Sequence, residues 1–140
     1  MPDKGFHLGP KLSREQIEDV TFAYRIAKEV TRLEIGQLVV VKDGVVLAVE
    51  GFEGTDACLT RGGTLAGKSG GAVAVKVARE KHDMRFDIPC IGPQTIQTCA
   101  DAGVAVLAFE PGKTLLLDRS DSEALIKRHG VALSSATAES

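Results

Sequence analysis

Two short apolar runs, 38–41 (L-V-V-V) and 45–50 (V-V-L-A-V-E), are split only by Lys42, Asp43 and Gly44. β-Branched side chains favour extended backbone, and Asp-Gly is the dipeptide whose two positive-φ positions match the twist of a tight hairpin. A β-hairpin over 38–50 is therefore the strongest local expectation. Its apolar residues fall at nearly every position rather than every second one, which predicts strands buried on both faces. Such a hairpin needs a helical layer on either side, so the fold to look for is α/β.

The rest of the sequence supplies those layers. Ser13 followed by Gln16 has the spacing of a capping box. Ile17, Val20, Tyr24, Ala27 and Val30 then recur at helical spacing, predicting an amphipathic helix over 14–33. Past the hairpin, Thr55 or Asp56 is expected to cap a short helix through Arg61. The stretch 62–71, with five of the fifteen glycines, reads as a mobile loop. A strand over 72–78 carries Lys76 inside its apolar alternation. Pro93 at a first helical position and Gly103 past the last one bracket a helix over 93–102. A buried strand at 104–110, an extended piece at 114–118, a helix opened by Ser120 or Asp121 and ending near Gly130, and a short strand at 131–133 complete the reading. Residues 1–12 lack periodicity and read as linker, 13–133 as the domain, and 134–140 as a flexible tail. The expected architecture is α/β: a single domain, a mixed β-sheet with an N-terminal β-hairpin, and flanking helices.

Bulk properties exclude several classes of function. The net charge of −2 over 140 residues argues against nucleic acid as a partner, because phosphate-backbone binding needs a basic excess. Cys58, Cys90 and Cys99 are odd in number and lack CxxC spacing, which suggests a reducing compartment and buried structural thiols. No apolar run is long enough for a membrane span, and the start M-P-D-K-G lacks the pattern of a signal peptide. The expected location is cytoplasmic.

Among motifs, 62–69 (G-G-T-L-A-G-K-S) matches the phosphate-cradling pattern G-x-x-x-x-G-K-S. That loop works between a strand and the N-terminus of a following helix, whereas here a helix precedes it and a strand follows. The order is reversed, so the match is discounted. His7 lies in the presumed linker, His129 at a helix C-terminal end, and His82 beside Asp83, where a solvated loop histidine is the plainer reading.

What remains is acidic and clustered. Glu50, Glu53 and Asp56 follow one strand, and Asp83 and Asp87 follow another. Alternation in an extended segment puts Asp83, Arg85 and Asp87 on one side. Ligands of α/β sheets gather at the carboxyl ends of strands. Few carboxylates with room for water suit Mg²⁺ bound together with substrate phosphates, and Lys76 and Arg85 supply countercharge. The same residues also read as solvated loop acids and a surface ion-pair ladder, and spacing alone does not choose.

A family resemblance does. I-G-Q at 35–37, V-x-x-G-x-x-x-A-V-E at 41–50, E-G-T-D-A at 53–57, V-K-V-A at 75–78 and D-M-R-F-D-I-P-x-I-G-P at 83–93 together closely resemble the C-terminal domain of the LpxI family. These are UDP-2,3-diacylglucosamine pyrophosphatases of lipid A biosynthesis, and the likeness runs in order from about Ser13 to about Leu133. It implies metal-dependent hydrolysis of a nucleotide-sugar lipid to 2,3-diacylglucosamine 1-phosphate and UMP, with Mg²⁺ as cofactor. Carried onto this chain, it implies catalytic and metal-holding roles for Asp56, Asp83 and Asp87, with Asp87 held rigidly by the Pro89 turn. Substrate contacts are implied at Glu53, Gly54, Thr55, Lys76 and Arg85. It also implies work at the inner face of the inner membrane, with peripheral contact to its surface. Two departures stand out. The family's N-terminal α/β domain has no counterpart here, so activity is expected to need that missing half. Glu80, Lys81 and His82 also make the turn before the second motif more charged than the family pattern. The rival expectations are a non-catalytic module binding a nucleotide sugar or phosphate, and a homodimerisation domain presenting its apolar hairpin to a second copy.

Overall fold

The computed structural model describes residues 1–79 and 88–136. Eight strands and four helices occur among them: β1 (His7–Leu8), α1 (Arg14–Arg32), β2 (Leu38–Lys42), β3 (Val45–Val49), α2 (Thr55–Leu65), β4 (Ala72–Lys76), β5 (Cys90–Ile91), α3 (Pro93–Ala102), β6 (Val104–Phe109), β7 (Leu115–Leu116), α4 (Arg119–His129) and β8 (Ala132–Ser135). Six strands form a mixed sheet in the order β1-β8-β6-β4-β2-β3, and β5 and β7 pair separately. β2 is antiparallel to both β3 and β4, while β4, β6 and β8 run parallel.

The hairpin forms as the Asp-Gly turn dictates. Asp43 and Gly44 both have positive φ, 50° and 75°, and both of their amides donate to the Asp19 carboxylate at 2.9 Å. β2 is buried from Leu38 to Val41, with Leu38 and Val40 on one face and Val39 and Val41 on the other. β3 departs from the expectation: it lies at the sheet edge, and Val45 and Val46 are exposed. β4 and β6 are apolar on both faces, as parallel strands between helical layers must be. α1 covers one face through Val20, Ala23, Ala27 and Val30. α2, α3 and α4 pack on the other through Cys58, Leu59, Ile96, Cys99 and Ile126.

The Ser13–Gln16 capping box is present in both directions. Pro93 opens α3, and Gly103 ends it in the left-handed region. Four sequence readings are corrected. Residues 1–12 are more than a linker: β1 pairs with β8, and Phe6 meets Phe109 edge-on with ring centres 5.7 Å apart. The last strand runs on to Ser135 and Ala136 is buried, so the presumed tail begins inside the sheet. Gly62 and Gly63 are not loop residues; α2 continues through them to Leu65, because each makes a contact that only glycine permits. α4 starts at Arg119 after Asp118, not after Ser120 or Asp121, and Asp118 makes no side-chain cap.

Candidate functional site

Chain direction places the carboxyl ends of β3, β4, β6 and β8 on one rim, beside the amino end of β2. Helices α2 and α3 begin there. α2 starts after Gly54, whose φ of 93° and ψ of 170° belong to a region essentially reserved for glycine. α3 starts after Gly92. Neither start has a side-chain cap, correcting the expectation that Thr55 or Asp56 caps α2. The first-turn amides of a helix have no partner within it and carry its positive dipole end. The two starts meet side by side, with Gln94 Nε2 donating to Asp56 Oδ2 at 3.1 Å.

Lys76 lies between them. Along β4, Ala72 and Ala74 pack toward α2 and α3, and Val73 and Val75 toward α1. The period of two therefore sends the Lys76 side chain to the α2–α3 face. Its Nζ donates to the Cys90 carbonyl at 3.4 Å. Burial holds its ammonium below the ordinary lysine value of 10.5, while the nearby charges of Glu50, Cys90 and Asp56 pull the other way.

The called residues separate at this rim. Asp56, Thr55, Gly54 and Lys76 come together. Glu53 does not join them: Arg61 clasps its carboxylate and also donates to the Val49 carbonyl at 2.9 Å. The bond to Arg61 holds Glu53 below the usual glutamate range. Asp83, Arg85 and Asp87, with His82, lie outside the described residues. Among the described residues no group of three or more His, Cys, Asp or Glu side chains is placed to hold a metal ion, and Asp56 is the one called metal ligand that falls among them. Cys58 and Cys99 are buried thiols, both pushed up to about 12, chiefly by burial. Cys90 is exposed, against expectation, because β5 pairs only with the short β7. The G-K-S stretch precedes β4 and therefore lies at the opposite rim. It follows the C-terminal end of α2, where the dipole repels phosphate, and Lys42 Nζ donates to Ser69 Oγ at 3.1 Å.

Two buried acids stand at the rim: Glu50, expected there among the clustered carboxylates, and Glu110, which went unassigned in the sequence. Glu50 is buried and accepts the Gln37 amide at 2.7 Å. Glu110, 5% exposed, accepts from Lys28 Nζ at 2.9 Å, Tyr24 Oη at 3.3 Å and the Ala78 amide at 3.0 Å, with Lys113 Nζ 3.7 Å away. Burial pushes its carboxyl up, but the bonds from Lys28 and Ala78 and the charges of Lys28 and Lys113 outweigh it, leaving it below 4.5. A depressed carboxyl adds stability that is present above its unfolded value and is lost as pH falls through the folded one. Thermal melts should therefore show an acid-side loss of stability starting below 4.5 that is smaller in Glu110→Gln. An equal loss in both proteins would assign the acid limb to other carboxylates.

No helix among the described residues is long and apolar enough to cross a membrane. Comparison with known proteins points to one family. The UDP-2,3-diacylglucosamine pyrophosphatase LpxI of Caulobacter vibrioides is 40% identical over 111 residues, which are 75% of this chain and 40% of that protein. The chain thus spans well under half the length of this curated relative. Among solved structures, the apo dCMP deaminase of cyanophage S-TIM5 aligns at 15% identity with a TM-score of 0.49, covering 89% of this chain and 99% of that one. A model of the LpxI C-terminal domain matches residues 3–134. With that match running from before β1 through both uncapped helix starts and Lys76 into β8, the chain belongs to the LpxI C-terminal domain family.

Proposed function

We propose that this chain is the phosphate-handling part of a UDP-2,3-diacylglucosamine pyrophosphatase, releasing 2,3-diacylglucosamine 1-phosphate and UMP. Its turnover would require the part of the relative that this chain does not cover. The observation that supports the reading is the meeting of two uncapped helix starts around a half-buried lysine. Amide donors, two dipole ends and one ammonium aimed at a common space suit a diphosphate.

In the proposed reaction, water attacks one of the two phosphorus atoms. A new P–O bond forms as the bridging anhydride P–O bond breaks, and the proton of the water passes to a carboxylate. Charge gathers on the non-bridging oxygens and on the departing phosphate, where Lys76, the amides of Thr55 and Asp56 and, by resemblance, Arg85 would neutralise it. Around Lys76, Asp56 and Glu50 set two carboxylates beside one ammonium, so a diphosphate fits best there together with a divalent cation. Asp56 suits that cation: Gln94 occupies one carboxylate oxygen and the other is free among the described residues. Mg²⁺ takes only one or two protein carboxylates when substrate phosphates complete its shell. Asp83 or Asp87 would supply the second. When bound, Mg²⁺ would draw charge from the phosphoryl oxygens and favour deprotonation of water.

UMP release from UDP-2,3-diacylglucosamine and Mg²⁺ tests the reading, measured with the 140-residue chain and with a full-length relative. The chain alone should bind inorganic pyrophosphate but turn over little, and the full-length protein should release UMP. Asp87→Asn in the full-length protein should abolish release with the fold intact; near-native turnover would remove Asp87 from the chemistry. Binding without release in either protein would make the domain a phosphate-binding module.

A further inference from the structure

The bonds of Glu110 go further than an ion pair requires. Phe109 packs toward α3, so Glu110 points to the opposite face, where α1 supplies Tyr24 and Lys28. It is therefore across the sheet from the anion site and cannot touch a ligand there. What it does touch is the exit of β4. Its own amide donates to the Lys76 carbonyl at 3.2 Å, and its carboxylate accepts the Ala78 amide at 3.0 Å. The β4–β6 ladder ends with Lys76 opposite Phe109, so the carboxylate takes over where the ladder stops. On the other side of β4, the Gln37 carbonyl accepts the Val77 amide at 2.9 Å, Gln37 Nε2 donates to the Val77 carbonyl at 3.2 Å, and Glu50 anchors the Gln37 amide. Residues 76–78 are thus gripped from both neighbouring strands.

We infer that Glu110 is a positioning residue for Lys76: clamped by Lys28 and Tyr24, it fixes the exit of β4 and thereby aims the Lys76 ammonium into the space between α2 and α3. The inference rests on the reading of Lys76 as part of an anion site. A purely stabilising role is a weak account of the arrangement, since an ion pair removed from water gains little over an apolar replacement of similar volume. Lysine has a long, flexible stem, so its direction depends on the backbone that carries it. The groups facing Lys76 are Glu50 at the end of β3, Asp56 on α2 and Cys90 on β5. Those facing Glu110 are Tyr24 and Lys28 on α1 and Lys113 beyond β6.

The test follows the Lys76 side-chain titration by NMR in the ligand-free 140-residue chain, alongside calorimetric affinity for inorganic pyrophosphate with Mg²⁺. In the unaltered chain Lys76 should titrate below 10.5. Glu110→Ala should move that midpoint up toward the ordinary value and weaken pyrophosphate binding about tenfold, the weight of one misaimed charge-assisted hydrogen bond. Glu110→Gln, whose amide oxygen still accepts from Ala78 but whose NH2 cannot accept from Lys28 or Tyr24, should restore most of both. Ile126→Val, a core change under α4, should lower the melting temperature without moving Lys76. If Glu110→Ala does not fold, Lys28→Met loosens the clamp more gently and should move Lys76 the same way by less. A Lys76 midpoint unchanged in Glu110→Ala, or in Lys28→Met where that variant stands in for it, would overturn the inference, as would a glutamine variant that fails to restore the midpoint. Pyrophosphate affinity indifferent to Lys76→Met would instead remove the anion-site reading. The ligand-free titration decides the role of Glu110 in either case.

Discussion

Gly63→Ala should destabilise the chain markedly. A Cβ at Gly63 would stand 2.1 Å from the Ala102 carbonyl oxygen and 2.8 Å from the Ala102 carbonyl carbon and Cβ. That neighbour is backbone at the end of α3, so no rotamer change relieves the clash. Gly62, one residue earlier, sets α2 against Val40 of β2, with a would-be Cβ at 2.6 Å. Alanine in place of a helical glycine normally gains about 1 kcal/mol, but overpacking costs about 1–3 kcal/mol and more where the backbone must move. The net effect should be a melting temperature lower by about 10 °C or more. Gly51→Ala, where a Cβ meets nothing within 4 Å, should be close to neutral, and equal melting temperatures for the two variants would contradict the packing account. The contact also bears on the site, because α2 and α3 lie close at Gly63 and Ala102 and at their other ends bring Asp56 to Gln94.

Lys76→Met should make the fold more stable while weakening pyrophosphate binding about 10- to 100-fold, the range of a lost charge-assisted hydrogen bond. The sign follows from the depressed titration of Lys76. A lysine harder to protonate in the folded chain than in the unfolded one destabilises the fold while charged. That penalty is fully present below its folded value and fades as pH rises through it toward 10.5. Methionine fills similar volume without charge, so its melting temperature should exceed the parent's at neutral pH, and the gap should close as pH rises. A variant that melts lower and binds equally well would make Lys76 a structural partner for Glu50.

How much of this was legible in the sequence depended on the range of the determinants. The hairpin was, because Asp43-Gly44 carries its turn geometry locally. So was α1, whose Ser13 and Gln16 cap within three residues, and α3, bracketed by Pro93 and Gly103. The end of α2 was not: two adjacent glycines read as a loop, and only the tertiary approach of Val40 and Ala102 explains them as helix contacts. β1 is two residues long and is held by β8, about 125 positions away in the chain, so no local pattern marks it. At the site, E-G-T-D-A pointed to Asp56 and the start of α2, but nothing local told that Arg61 would claim Glu53. Glu110 reads only as the last residue of a buried strand; its partners Tyr24 and Lys28 stand 86 and 82 positions away.

The central claim is that phosphate chemistry belongs to the rim where α2 and α3 begin. Titrating the ¹⁵N-labelled chain with inorganic pyrophosphate and Mg²⁺ while following its amide and lysine signals tests this most directly. The account predicts saturable shifts at Thr55, Asp56, Ala57, Gln94 and Thr95 and at the Lys76 side chain, with 62–69 unmoved. Shifts confined to Lys68, Ser69 and their neighbouring glycines, or none at either rim, would contradict it.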